Sequence, residues 1–252
     1  MQKIILETNK LCKTFSTGGI QQHVLKNLDV KIYKDDFTVI MGRSGGGKST
    51  LLYALSGMDN ISLGDVIFDD INISNYNQDQ LAKFRRANCG FVFQQIYLVD
   101  SMSLMDNVLS SGLLVNKNKK EVAARAKELF EKVDLTENLW HKLPTQISGG
   151  EAQRVGIVRA LINNPKILFA DEPTGSLNST TSKNVLDLFT KFNESGQSIV
   201  MVTHDIKSAL RGNRILFLKD GSVEGELNLG KYTANDTKRQ DKMMDFLSKM
   251  GF

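Results

Sequence analysis

The stretch Gly42-Arg43-Ser44-Gly45-Gly46-Gly47-Lys48-Ser49-Thr50 holds the residues most able to do chemistry in this chain. It fits the phosphate-binding P-loop pattern G-x-x-x-x-G-K-[ST] without a gap. Phe37 to Met41, just before it, is a short apolar, β-branched run that reads as a buried strand. Leu51-Leu52-Tyr53-Ala54-Leu55, just after it, continues as a helix. Glycines let backbone N–H groups turn onto phosphate oxygens, where any side chain would block the approach. The helix start adds unpaired donors and the positive end of its dipole. Lys48 supplies a mobile point charge for the outer phosphates, and the Ser49 hydroxyl can ligate Mg²⁺. The plainer alternative is a glycine turn that happens to cap a helix, and the motifs downstream count against it.

Two further stretches carry chemistry. Ile167-Leu168-Phe169-Ala170-Asp171-Glu172 is an apolar strand that ends in two carboxylates. In parallel sheets ligands gather at that end. Asp171 can hold Mg²⁺ directly or through water, and Glu172 can accept a proton from an attacking water. As a bare pattern, hydrophobic residues followed by Asp-Glu are common; downstream of a P-loop they point to function. Ile147-Ser148-Gly149-Gly150-Glu151-Ala152-Gln153-Arg154 precedes a helix. Ser148 suits an N-cap, with Glu151 in capping-box position, which is a purely structural role. Ser-Gly-Gly at a helix start also makes a second phosphate cradle. One site does not need two cradles, which suggests a nucleotide shared between two copies of the chain.

Strands and helices must hold these groups in place. With 252 residues the chain can build one large core, or a core with a substantial insertion. Hydrophobic residues make up 41% and charged residues 24%, ordinary for a globular protein, which excludes global disorder. The net charge of +4 is too small to argue for nucleic acid. Cys12 and Cys89 show no metal-ligand spacing and suggest buried thiols in a reducing compartment. Met1 to Glu7 meets charge too soon for a signal peptide. No apolar run approaches the roughly 20 residues of a membrane span. Lys3 to Thr8 reads as a strand, Asn9 to Gly19 as a loop, and Val24 to Lys34 as two short strands or one bent one. The run from about residue 95 to 165 is mainly helical and reads as an inserted subdomain. Strand and helix then alternate, which predicts a parallel sheet covered by helices. The stretch after Gly230 is polar until Lys242 to Met250, where Met243, Phe246, Leu247 and Met250 can form one helix face.

With these motifs in this order, the chain resembles the ATP-binding subunits of ABC transporters, over nearly its whole length. Their signature L-S-G-G-Q stands here as Ile147-Ser148-Gly149-Gly150-Glu151. The resemblance implies an α/β fold: a P-loop NTPase (RecA-like) core with an antiparallel β subdomain and an inserted helical subdomain. It implies one ATPase domain over residues 1–229 and a tail over 230–252. Phe15 matches the aromatic position that stacks on adenine, although a lone Phe in a loop is as readily a core residue. Gln94, after Phe91-Val92-Phe93, matches the Gln that touches Mg²⁺ and the attacking water; its plainer role is a polar strand end. Ser176-Leu177-Asn178 matches the loop that crosses to a partner copy, with Asn178 where Asp is usual. His204, after Ser198 to Val202, matches the His that reaches the γ-phosphate, although it could merely cap the next helix. Glu151 places a negative charge near phosphate where the family usually has Gln. Phe169-Ala170-Asp171-Glu172-Pro173-Thr174-Gly175-Ser176-Leu177 resembles the MacB/LolD/FtsE-type group. The stretch from Leu218-Lys219-Asp220-Gly221 to Phe246-Leu247 is similar to bacitracin-type exporters.

This resemblance implies ATP and Mg²⁺ as cofactors, a homodimer that sandwiches ATP, and a peripheral place on the cytoplasmic face of the cell membrane. It implies a membrane permease as partner and, through it, a sensor kinase. The function implied is powering that permease, with export of or resistance to an antimicrobial peptide as the narrower reading. A non-transporting regulator of the FtsE type and lipoprotein extraction of the LolD type would use the same ATPase. Soluble ABC ATPases of DNA repair or translation usually carry coiled-coil or zinc insertions or a second cassette, none of which is seen here. An adaptor that only binds ATP would fit Glu151 and Asn178 but not the intact Lys48, Asp171, Glu172 and His204.

Overall fold

The computed structural model describes residues 2–252. The chain divides into two compact units, Met1–Leu81 with Asn193–Phe252, and Ala82–Phe192. The first opens with the antiparallel pair β1 (Ile4–Thr17) and β2 (Ile20–Leu28), joined through Gly18 and Gly19. β3 (Lys31–Tyr33) pairs with the first half of β1, and β4 (Phe37–Met41) follows. α1 (Lys48–Leu55) then leads to β5 (Leu63–Phe68), which pairs with β1, and to β6 (Ile71–Asn72).

α2 (Gln78–Asn88) leads to the second unit. There β7 (Cys89–Phe93) is followed by α3 (Leu104–Gly112), α4 (Lys119–Lys132), α5 (Glu137–Trp140) and α6 (Gly149–Leu161). β8 (Ile167–Asp171) then pairs with β7 in parallel, and α7 (Ser179–Glu194) follows. The remainder of the first unit is β9 (Ser198–Val202), α8 (Ile206–Ala209), β10 (Arg214–Lys219), β11 (Ser222–Asn228) and α9 (Thr237–Lys249).

In the first unit β4 runs parallel between β10 and β9, and β11 adds an antiparallel edge. Every residue of β4 and β9 is buried. Strands apolar at successive positions are what a parallel layer covered on both faces needs. Arg214, with Asp36, ties this layer to the antiparallel strands. Its Nε lies 3.3 Å from Asp36 Oδ2, Nη2 donates to the Lys31 carbonyl, and the guanidinium lies 4.8 Å over the Tyr33 ring. In the second unit the Phe130 and Trp140 rings stack at 5.6 Å, and the Trp140 indole N–H donates to the Leu135 carbonyl at 2.9 Å. Asn118 and Ser103 cap their helices. The expected class therefore holds: antiparallel strands, parallel strands, and a mainly helical run between β7 and β8. Among the described residues no helix is long and apolar enough to cross a membrane.

Three expectations change. Asn9 to Thr17 is strand rather than loop, and only Gly18 and Gly19 make the turn. The polar pair Asn9-Lys10 breaks the alternation because β1 is irregular there, with Lys10 at φ 47° and register shifts that hand the strand from β5 to β2. A Cβ on Gly64, opposite, would meet the Lys10 carbonyl oxygen at 2.3 Å. Both cysteines are half-buried as residues, so the expectation of buried thiols holds only at the desolvated Cys89 sulfur. Cys12 Sγ lies 3.3 Å from Asn27 Oδ1, whereas desolvation pushes the Cys89 thiol pKa up. Finally, α9 begins at Thr237 instead of Lys242. Asp236 caps it, and the polar stretch hides a buried charge.

That charge is Arg239, 3% exposed. Its Nε donates to the Leu210 carbonyl at 2.7 Å, Nη1 to Leu229 and Gly230 at 3.0 Å each, and Nη2 to Gly212. Burial pulls its pKa below the usual arginine value. Arg239→Met keeps much of the stem but leaves these carbonyls without their donors. We expect unfolding in urea to show a loss of about 3 kcal/mol. A loss below about 1 kcal/mol would mean that the tail is not anchored by this residue.

Candidate functional site

β4 ends at Met41 and the chain turns at once through Gly42, φ 151°. A Cβ there would sit 2.1 Å from the Leu218 carbonyl oxygen of β10, so only glycine lets the loop pass. Gly47 closes the turn at φ 91°, packed on Val24 and Leu25 of β2, and serves as N-cap of α1 without a side-chain cap. A loop built this way leaves backbone N–H groups at the helix start for an anion. Ser44 and Gly45 are exposed at its tip, Gly46 is half-buried, and Ser49 and Thr50 are half-buried in the first turn of α1. Lys48 is only 8% exposed, and its Nζ donates to the Arg43 carbonyl at 2.9 Å.

His204 leaves the neighbouring strand. β9 pairs with β4 up to Ile40 opposite Val202, and the Thr203 N–H donates to the Ile40 carbonyl at 3.2 Å. The P-loop and His204 thus emerge from the same edge of the parallel layer, where ligands bind in such sheets. His204 is exposed and does not cap α8; Asp205 does, accepting from the Ser208 N–H at 2.8 Å. Phe15 is 41% exposed on β1, opposite Gln22 of β2, and is neither loop nor core. The Lys13 ammonium lies 4.7 Å from its ring centroid and is itself held by Asp59 Oδ1 at 2.7 Å and the Asn60 carbonyl at 2.5 Å. This support went unseen in the sequence. The signal was there: residues two apart on a strand share a face.

The other candidates lie in the second unit. Phe93 of β7 pairs with Asp171 of β8, so Gln94 and Glu172 follow adjacent strand ends. Glu172 sits at φ 46°, a left-handed conformation that side chains seldom adopt and that clusters at functional positions. The Glu172 carbonyl accepts from Gly175 N–H at 3.0 Å, and a Cβ on Gly175 would sit 2.9 Å from Gln94 Nε2. The Gln94 side chain therefore lies against the turn that follows the paired acids. Asn178 is exposed but turned onto its own helix: its Oδ1 accepts from the Thr181 N–H at 2.9 Å at the start of α7.

Ser148 is the N-cap of α6, with a full capping box. Glu151 Oε2 accepts from the Ser148 N–H at 2.8 Å and from its hydroxyl at 2.7 Å. These bonds hold the Glu151 carboxyl below its usual pKa, the side-chain bond first. Its charge is thus turned onto Ser148 in place of open solvent. Gly150 packs on Thr181, where a Cβ would meet Cγ2 at 2.3 Å. Farther along α6, Gln153 Nε2 donates to the Phe93 carbonyl at 3.2 Å, while Arg159 donates to Tyr97 at 2.6 Å and to Ile96 at 2.5 Å. The helix that begins at Ser148 therefore grips the backbone around Gln94. Sequence reasoning missed Gln153 and Arg159, because both read as ordinary polar positions on a helix.

Comparison with known proteins agrees with these motifs. The family model described as ABC transporter matches residues 25–175. The macrolide export ATP-binding/permease protein MacB of Wolinella succinogenes is 38% identical over 223 residues, 88% of this chain but 34% of that protein. MacB of Neisseria meningitidis is 38% identical over 219 residues. The chain thus spans about a third of the length of the curated relatives it matches. Among solved structures, a dimeric post-hydrolysis state of the ATP-binding cassette MJ0796 bound to ADP and inorganic phosphate superposes with a TM-score of 0.83. It is 38% identical, and the match covers 90% of this chain and all of that one. A second dimeric structure of MJ0796 has the same TM-score at 39% identity.

The capping box sets a pH dependence. A carboxyl whose folded pKa lies below its unfolded value stabilises the fold above the unfolded value, about 4.3, and loses that contribution as pH falls through the folded one. An NMR titration should place Glu151 below ordinary glutamates, and Ser148→Ala should return it toward them. An unmoved Glu151 in that variant would remove the hydroxyl as cause.

Proposed function

The chain belongs to the ABC transporter family and is an ATPase of its cassette type, and on that premise we propose that it powers a membrane permease that exports an antimicrobial compound. Relatives named for macrolide export, in which an ATP-binding part and a permease are joined, support this reading. An antimicrobial peptide is the narrower substrate, supported by the bacitracin-type resemblance of the stretch after Leu218. The domain plan that goes with it is one ATPase domain over 1–229, with the helical run of about 95–165 handing motion to the permease. The cassette works at the cytoplasmic face of the membrane, held there by its partner. A sensor kinase contacted through the permease belongs to the peptide reading alone.

In this mechanism two copies lie head to tail. The N–H groups of Gly42 to Thr50 and the Lys48 ammonium bind the phosphates of ATP, and Phe15 stacks on its base. Ser148, Gly149 and Gly150 of the second copy close the same site, with Glu151 locked in its cap. Glu172 accepts the proton of the attacking water, which Gln94 and His204 orient. The Ser49 hydroxyl, the Gln94 amide oxygen and the Asp171 carboxylate are the groups that would hold Mg²⁺, each an oxygen donor of the kind that ion takes. When bound, the ion would neutralise phosphate charge. Positioned charges supply most of the catalysis in phosphoryl transfer.

The observation that carries this reading is the P-loop cradle, impossible with any residue but glycine at position 42, followed by an acid pair beside Gln94. Glu172→Gln should retain ATP binding, lower turnover by about 10²–10⁴-fold, and accumulate as a closed dimer on gel filtration with ATP and Mg²⁺. Normal turnover would remove Glu172 from its role, and a strictly monomeric variant would remove the shared site. Lys48→Ala should weaken ATP binding by about tenfold or more, roughly 1.4 kcal/mol, in a direct titration. Unchanged affinity there would discard the cradle.

A further inference from the structure

The end of the chain reaches the P-loop. Arg43 Nη2 donates to the Gly251 carbonyl at 2.7 Å. Gly251 holds a left-handed turn, φ 72°, after α9, and its own N–H donates to the Ser248 carbonyl at 3.1 Å. Phe252 lies edge-on to Phe217 at 5.8 Å and its N–H donates to the Leu247 carbonyl at 3.0 Å. Phe217 precedes Leu218, whose carbonyl oxygen is the atom that Gly42 must skirt. Farther back, Phe246 meets Phe217 at 6.4 Å, and Arg239 anchors the start of α9. A Cβ on Gly225 would meet Met250 Sδ at 2.9 Å and Phe246 Cε2 at 3.1 Å, so α9 lies directly on bare β11 backbone.

We infer that the segment from Arg239 to Phe252 is a brace in cis for the nucleotide loop, with Arg43 as its point of attachment and a positioning residue. The linkage runs through one residue. The Arg43 side chain is held by Gly251, while its carbonyl accepts from Lys48 Nζ at 2.9 Å and from the Gly46 N–H at 3.2 Å. Whatever fixes Arg43 therefore fixes the acceptor that aims Lys48 and the turn whose N–H groups face the phosphates. Two glycine turns meet across one guanidinium: Gly251 sets the direction of the carbonyl, and Gly42 lets the loop come within reach of it. The inference rests on the P-loop being the nucleotide site proposed above.

Gly251→Val tests it. A Cβ on Gly251 meets nothing within 4 Å, so the first added atom stands in open space. A β-branched residue nonetheless disfavours φ 72°, so the carbonyl should swing away from Arg43. ATP affinity by calorimetric titration should fall about three- to tenfold, the worth of one hydrogen bond. Phe252→Ala should do the same with an unchanged melting curve. In both, KM for ATP should rise while kcat stays within about twofold, because these residues touch no reacting group. Arg43→Ala should fall by a similar factor, Arg43→Lys should recover most of it, and Arg43→Ala with Gly251→Val should be no weaker than either alone. Wild-type affinity in Gly251→Val and Phe252→Ala, losses that multiply in the double variant, or Arg43→Lys as weak as Arg43→Ala would each overturn the brace. Failure of the unaltered protein to bind ATP would instead overturn the nucleotide site.

Discussion

A backbone that must pass closer to a carbonyl oxygen than any side chain permits is the constraint on which the rest of the first unit depends. At Gly42 the chain leaves β4 against Leu218, 2.1 Å from where a Cβ would stand. That contact exists only because β10 and β4 run in register, Phe217 opposite Met41. The same crowding recurs around Val24 and Leu25 of β2, which touch Gly47 on one side and Gly221 on the other. The Lys26 N–H donates to the Gly221 carbonyl at 2.9 Å, so the antiparallel sheet and the β10–β11 turn are joined beside the loop. An anion cradle needs N–H groups that are aimed but unpaired, a costly state unless the frame is rigid.

Much of this was legible in the residues. A glycine run with Lys-Ser behind it, after an apolar strand, can be read because each of its parts has one physical use. The paired acids stood out for a related reason: two adjacent charges at the end of a buried strand, downstream of such a run, lie where ligands gather in parallel sheets. What could not be read was long-range. The path of β1 past Asn9-Lys10 depends on an irregular backbone that the sequence shows only as a polar interruption. Arg239 reads as one cation in a polar tail, and its burial depends on carbonyls from Leu210 to Lys231 that meet only in the fold. Lys13 and Phe15 were readable in principle, once the stretch is seen as a strand.

Glu151 shows how local geometry alters a reading of charge. As a formal negative group at a helix start it looks hostile to phosphate. In the fold its Oε2 faces the Ser148 N–H and hydroxyl, and the bonds that lower its pKa also fix its direction. The hydroxyl of Ser148 is correspondingly engaged, so α6 is set by its own first turn before any second copy arrives. Gln153 and Arg159, on the same helix, carry that fixed orientation to the carbonyls on either side of Gln94.

Arg214 has a different consequence. One guanidinium, 5% exposed, meets Asp36 before β4, the Lys31 carbonyl of β3 and Glu226 of β11, with Tyr33 beneath it. Peeling away the antiparallel strands would strand that cation beside a sheet that no longer matches it. Loosening the sheet would do the same from the other side. The edges of this unit therefore cannot fray one at a time around Arg214, and amides on β3, β4 and β10 should exchange with solvent at a shared rate, as one cooperative block.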